Sequence, residues 1–112
     1  VKYLEIVTPD VDGTIALLEA TNGVTFGEPV MALGNSRTAE LEHGGMIGVR
    51  APLRENEDPV VRPYMLVDDI QVAIGVAEAA GAEIALPPMP MPGHGMFAIY
   101  IMGGIEHGLW QR

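Results

Sequence analysis

Apolar positions along the chain fall into two helical stripes separated by short strand-like runs. One stripe is Val11, Ile15 and Leu18; the other is Ile70, Ile74 and Ala77. Both have i, i+4, i+7 spacing, which gathers the three side chains on one helix face. Asp10 and Asp69 open the two stretches, where an aspartate carboxylate can accept from the orphan amides of a first turn. Asp68 and Gln71 have capping-box spacing. Asn22-Gly23 and Gly81 end the helices, at positions suited to left-handed backbone. An apolar strand is predicted before each helix, at Tyr3–Val7 and at residues 63–67. The first helix leads into strand-like runs at 24–26, 30–33 and 38–42, then a Gly44-Gly45 hairpin turn into Met46–Arg50. The second leads into a strand at 83–86, a proline-rich loop at 87–92, a strand at 97–102, a Gly103-Gly104 turn and a strand at 106–111.

These two halves are copies of one pattern. At an offset of 59, Asp10 matches Asp69, Ile15 matches Ile74, Glu19 matches Glu78 and Ala20 matches Ala79. Ala39 and Ala98, Gly44 and Gly103, and Gly45 and Gly104 keep that offset; Gly23 with Gly81 and Pro29 with Pro87 follow after a slip of one. Matches in the same order along the length indicate two modules of formula βαβββ. The expected organisation is one domain, residues 1–112, with modules at 1–50 and 62–112 joined by a linker at 51–61. The charged run Arg54, Glu55, Asn56, Glu57, Asp58 reads as a solvated segment.

Composition narrows the classes. The 112 residues include no cysteine, which removes disulfides, thiolate metal sites and thiol nucleophiles. Apolar residues make up 48 %, ample for a packed core. Six basic against fifteen acidic residues give a net charge of −9, which disfavours nucleic acid and anionic membrane surfaces as partners. No apolar run approaches the roughly 20 residues of a membrane span. The opening Val1-Lys2-Tyr3 shows no signal-peptide pattern. The expectation is a soluble cytoplasmic domain.

Paired βαβββ modules of this size resemble the vicinal oxygen chelate superfamily, which includes glyoxalase I, bleomycin resistance proteins and extradiol dioxygenases. The resemblance spans nearly the whole chain and is strongest in the second module. There Val67-Asp68-Asp69-Ile70, Ala80-Gly81-Ala82, Leu86-Pro87-Pro88, Pro92-Gly93-His94-Gly95-Met96-Phe97-Ala98 and Gly108-Leu109-Trp110-Gln111 are similar to a glyoxalase-like subgroup. Tyr3-Leu4-Glu5-Ile6 fits the same subgroup. The resemblance implies an α+β fold in which two modules form a U-shaped mixed sheet with helices outside and a ligand-holding cup inside. It also implies a homodimer. Catalytic members hold a divalent metal through the first and last strands of each module. Carried onto this chain, the first-strand positions are Tyr3 and Arg62, and the last-strand positions fall at Gly48 or Val49 and at Gly108. None is a usual ligand, so the reading assigns no metal and no cofactor.

Strand alternation fixes which other residues share those faces. Glu5 and Val7 accompany Tyr3, Tyr64 and Leu66 accompany Arg62, and Glu106 and Trp110 accompany Gly108. Candidate ligand-binding residues are therefore Tyr3, Glu5, Arg62, Tyr64, Glu106 and Trp110, aromatic walls with a few polar groups. Their structural alternatives are an ion pair between Glu5 and Arg62 and plain packing of the aromatics. His43 is expected in solvent, His94 in a loop able to reach over the cup, and His107 pointing away from it. Met89, Met91 and Met96 suit an adaptable apolar rim. The leading function is metal-independent binding of a small, partly apolar organic molecule, with catalysis undecided. Its competitors are a metal-dependent lyase, isomerase or dioxygenase, and a bleomycin-type antibiotic-sequestering protein.

Overall fold

The computed structural model describes all 112 residues, Val1–Arg112. The chain is α+β and divides into two units: Tyr3–Val61, and Val1–Lys2 together with Arg62–Arg112.

The first unit contains β1 (Tyr3–Val7), α1 (Val11–Asn22), a 3-10 turn (Met31–Leu33), β2 (Arg37–Glu40) and β3 (Met46–Arg50). Its strands lie in the order β2-β3-β1, with β1 parallel to β3 and β2 antiparallel to it. A parallel pair needs a long crossover, and α1 with the following segment supplies it. Asp10 caps α1 by accepting from the Gly13 amide at 3.0 Å, and Gly23 ends it with φ +64°. Ile15 then packs with Phe26, Ala39, Ile47 and Val49, while Leu4 and Ile6 of β1 reach the same cluster.

Two runs that the pattern marks as strands are irregular here. Residues 24–26 lie in no strand. At 30–33, Val30 makes one isolated bridge to Ser36 before the 3-10 turn. Side chains take over the backbone groups that a ladder would satisfy. Glu19 accepts from the Phe26 amide at 2.9 Å, and Arg37 donates to the Gly27 and Phe26 carbonyls at 2.8 and 3.3 Å. Gly34 and Asn35 follow at φ +66° and +63°, which breaks any strand. The β2–β3 loop also differs from a two-glycine turn. Gly44 donates to the Leu41 carbonyl and Leu41 to the Gly45 carbonyl, which encloses the three residues Glu42-His43-Gly44.

β4 (Val60–Leu66) begins three residues before the predicted strand and enters the second unit at Arg62; α2 (Ile70–Ala79), β5 (Glu83–Met91), β6 (Gly95–Met102) and β7 (Ile105–Gln111) follow. The strand order is β4-β7-β6-β5, parallel between β4 and β7 and antiparallel elsewhere. Asp69 is the helix cap, accepting from the amides of Gln71 and Val72 at 3.0 and 3.2 Å; Asp68 does not take that place. At the other end Gly81 donates to Glu78 and Ala82 to Ala77, a Schellman closure with Gly81 at φ +98°. Ile70, Ala98 and Leu109 form the core of this unit. The proline-rich stretch is part of β5 rather than a loop. β5 pairs only with β6, so a proline loses no ladder bond on the outward side, and register shifts between Ile84 and Leu86 and between Leu86 and Met89 absorb the mismatch. Gly103-Gly104 makes the two-residue turn between Met102 and Ile105, at φ +61° and +76°. No helix is long and apolar enough to cross a membrane.

Candidate functional site

In the first unit, β1 alternation sends Leu4 and Ile6 toward α1, and Tyr3, Glu5 and Val7 to the opposite face, where all three are buried. Glu5 does not stand alone there. Its Oε2 accepts from Arg50 Nε at 2.9 Å, and Arg50 continues through Nη1 and Nη2 to both oxygens of Glu57 at 2.9 and 2.8 Å. Glu57 also accepts from the Leu53 amide at 2.7 Å, so the segment after β3 folds back onto the sheet. Strand pattern did not single out Arg50, and Glu57 was expected in solvent with its neighbours. Only the return of the segment brings it to Arg50.

The electrostatics follow from this triad. The Glu57 carboxyl is lowered to about 2, chiefly by its bonds from Arg50. Arg50 is held even more firmly protonated than an ordinary guanidinium, first by Glu57. The Tyr3 phenol is pushed up to about 12 by burial; the nearby Ser36 hydroxyl pulls the other way. Tyr3 is therefore a neutral phenol near neutral pH.

In the second unit, Arg62 and Tyr64 of β4 share a sheet face with Glu106, Gly108 and Trp110 of β7, since Tyr64 is the register partner of Gly108. Arg62 Nη2 reaches both Glu106 oxygens at 3.2 Å, and Glu106 remains about one-third exposed (34 %). Trp110 donates from Nε1 to the His94 carbonyl at 2.7 Å. Tyr64 meets the Trp110 ring edge-on, with centroids 6.2 Å apart, and Phe97 at 6.4 Å. Lys2 Nζ lies 5.8 Å from the Trp110 ring centroid.

Each histidine has a defined place. His43 is exposed in the β2–β3 loop. His94 sits in the β5–β6 turn, and its carbonyl anchors Trp110. His107 stacks on Tyr100 at 5.0 Å on the face that carries Leu109 and α2, opposite Trp110, as alternation predicts. That helix-side face also holds a cleft of about 310 Å³, lined by Ala73, Val76 and Ala77 of α2 and its C-cap Ala80 over Tyr100 and His107.

The residues at the metal positions implied by the resemblance do not fit a metal. Tyr3 carries a buried phenol with a raised pKa, and Arg62 is a cation. Gly48 and Gly108 have no donor, and a side chain there is obstructed. A Cβ on Gly48 would stand 2.7 Å from Tyr3 Cε1, and one on Gly108 would stand 2.6 Å from Tyr64 Cγ. Tyrosine rings thus cover both glycines, and any side chain at either position would need the ring to leave.

Methylmalonyl-CoA epimerase from Mycobacterium tuberculosis matches with a TM-score of 0.73 at 16 % identity, over 98 % of this chain and 85 % of that one. A hypothetical protein from Bacillus halodurans C-125 matches with a TM-score of 0.76 at 13 % identity, over 99 % and 92 %. A mutant of 4-hydroxymandelate synthase from Streptomyces coelicolor matches with a TM-score of 0.77 at 19 % identity, over 99 % of this chain and 38 % of that one. No family model matches the sequence, and no curated protein matches it. At these identities the likeness is one of fold alone, and the α+β architecture is the one the resemblance implied.

Proposed function

We propose that this protein binds a small, partly apolar organic molecule without using a metal. The ligand faces are the sheet faces carrying Tyr3 and Glu5 in the first unit and Arg62, Tyr64, Glu106 and Trp110 in the second. The observation that carries the reading is the pair of tyrosine rings lying over Gly48 and Gly108. They put aromatic surface at the last-strand positions where the resemblance implies metal ligands. Aromatic walls with a few fixed polar groups are the usual make-up of small-molecule sites. Arg50 and Glu106 supply countercharges for Glu5 and Arg62, so neither charge depends on a metal for compensation.

The test has two arms. Purified protein is dialysed against zinc, nickel, iron or manganese and analysed for bound metal, and a thermal-shift screen covers small metabolites and antibiotics. The expected outcome is no stoichiometric metal, together with one or more stabilising compounds whose effect survives a chelator. Stoichiometric metal that resists dialysis overturns the reading in favour of a metal-dependent lyase, isomerase or dioxygenase. The solved neighbours named as an epimerase and a synthase make that the second reading to keep. Protection of cells against bleomycin-like compounds would assign the ligand to that drug class.

A further inference from the structure

Lys2 is one of only six basic residues in a chain with fifteen acidic ones, yet it forms no ion pair. Its ammonium instead lies 5.8 Å from the centroid of the Trp110 ring, within the range of a cation–π contact. The backbone places it there: the Lys2 amide donates to the Tyr64 carbonyl at 2.9 Å. The ring it meets is fixed, since Nε1 is bonded to the His94 carbonyl and Tyr64 braces it edge-on at 86°. Trp110 itself is only 3 % exposed. A flexible ammonium that could sit in water near any of many carboxylates is held against an immobile indole.

We infer that the Trp110 ring face recognises ammonium groups, that Lys2 is its tethered occupant, and that the ligand of this unit is an organic cation that displaces Lys2. This deepens the ligand reading above and rests on it. A quaternary or tertiary ammonium with an apolar body fits the aromatic wall of Tyr64, Phe97 and Trp110. The net charge of −9 draws such a ligand toward the protein. The one cation built into the same face, Arg62, is countered by Glu106 at 3.2 Å. A tethered lysine competes at high effective concentration, so free ligand binds weakly until it is removed.

Trp110 is the only tryptophan, which makes its fluorescence a reporter of this ring alone. The probes are choline and its neutral isostere 3,3-dimethylbutan-1-ol, titrated at constant ionic strength into wild type, Lys2→Ala and Lys2→Arg, with folding checked by circular dichroism. The expected result is a saturable change with choline and not with the alcohol. Half-saturation should fall several-fold in Lys2→Ala and stay near wild type in Lys2→Arg. Equal response to both probes would overturn the cation assignment while leaving the small-molecule reading intact. No saturable response in folded Lys2→Ala would also overturn it. Failure of every compound in the thermal-shift screen is a separate result and bears on the broader reading.

Discussion

Gly108 and Glu57 show how single residues define this molecule. Gly108 has no unusual backbone angle to explain it; the Tyr64 ring explains it, since a methyl group there would stand 2.6 Å from Cγ. Gly108→Ala should therefore cost about 1–3 kcal/mol, the usual range for overpacking. The cost should shrink in a Tyr64→Leu background, because the two sites touch. Urea unfolding of the four variants reads both, and equal costs in the two backgrounds would refute the contact. Glu57 gives a pH prediction. Its carboxyl is lowered from an ordinary 4.5 to about 2 by Arg50, so the unfolded state binds its proton first as the pH falls. The stabilisation is whole above about 4.5 and is lost as the pH drops through 2. Thermal melts between pH 7 and 2 should show a shallower acid limb in Glu57→Gln than in wild type.

Helices and strands obey local rules until neighbours supply a competing bond. Both helix starts follow the aspartate pattern, but in α2 the cap is Asp69, with two amides on one oxygen. Asp69→Ala should cost about 1 kcal/mol and Asp68→Ala much less, measured by chemical denaturation. A reversed order would mean that the capping-box spacing of Asp68 and Gln71 decides the start. The loss of strand at residues 24–33 has the opposite origin, since Glu19 and Arg37 satisfy its backbone from a distance of several residues. The continuation of β5 through its prolines was equally hidden. Whether a proline can stay in a strand depends on which edge of the sheet it faces, and pairing with β6 alone decides that.

At the scale of the whole molecule, the fold is shared with proteins at 13 to 19 % identity, and a shared fold does not by itself carry a shared function. Function therefore has to be argued from the sheet faces, and the faces here carry tyrosine, tryptophan and compensated charges. The superfamily resemblance further suggests a homodimer, which we propose for this chain. Sedimentation equilibrium at micromolar concentration should give about twice the 11.9 kDa chain mass. A mass of one chain would dispose of the proposal.

Both helices with Asp10 and Asp69 at their starts, the strand β1 and the glycine turn at Gly103-Gly104 were legible in the sequence; the βαβββ formula holds in the second unit, while the first lacks one of its strands. Each depends on spacing within a few residues, where side-chain periodicity and backbone conformation are coupled directly. The face shared by Arg62, Tyr64, Glu106 and Trp110 was legible for the same reason, through the alternation of β4 and β7. What the sequence alone could not determine is who meets whom across distance. Arg50 as a partner of Glu5, Glu57 folding back from a charged segment, the His94 carbonyl holding Trp110, and Lys2 over its ring all join residues that helix and strand periodicity does not relate. Many acidic residues could have met Arg50, and local physics ranks them nearly equally. Only the packed chain, which brings Glu5 and Glu57 within 2.9 Å of Arg50, makes the choice.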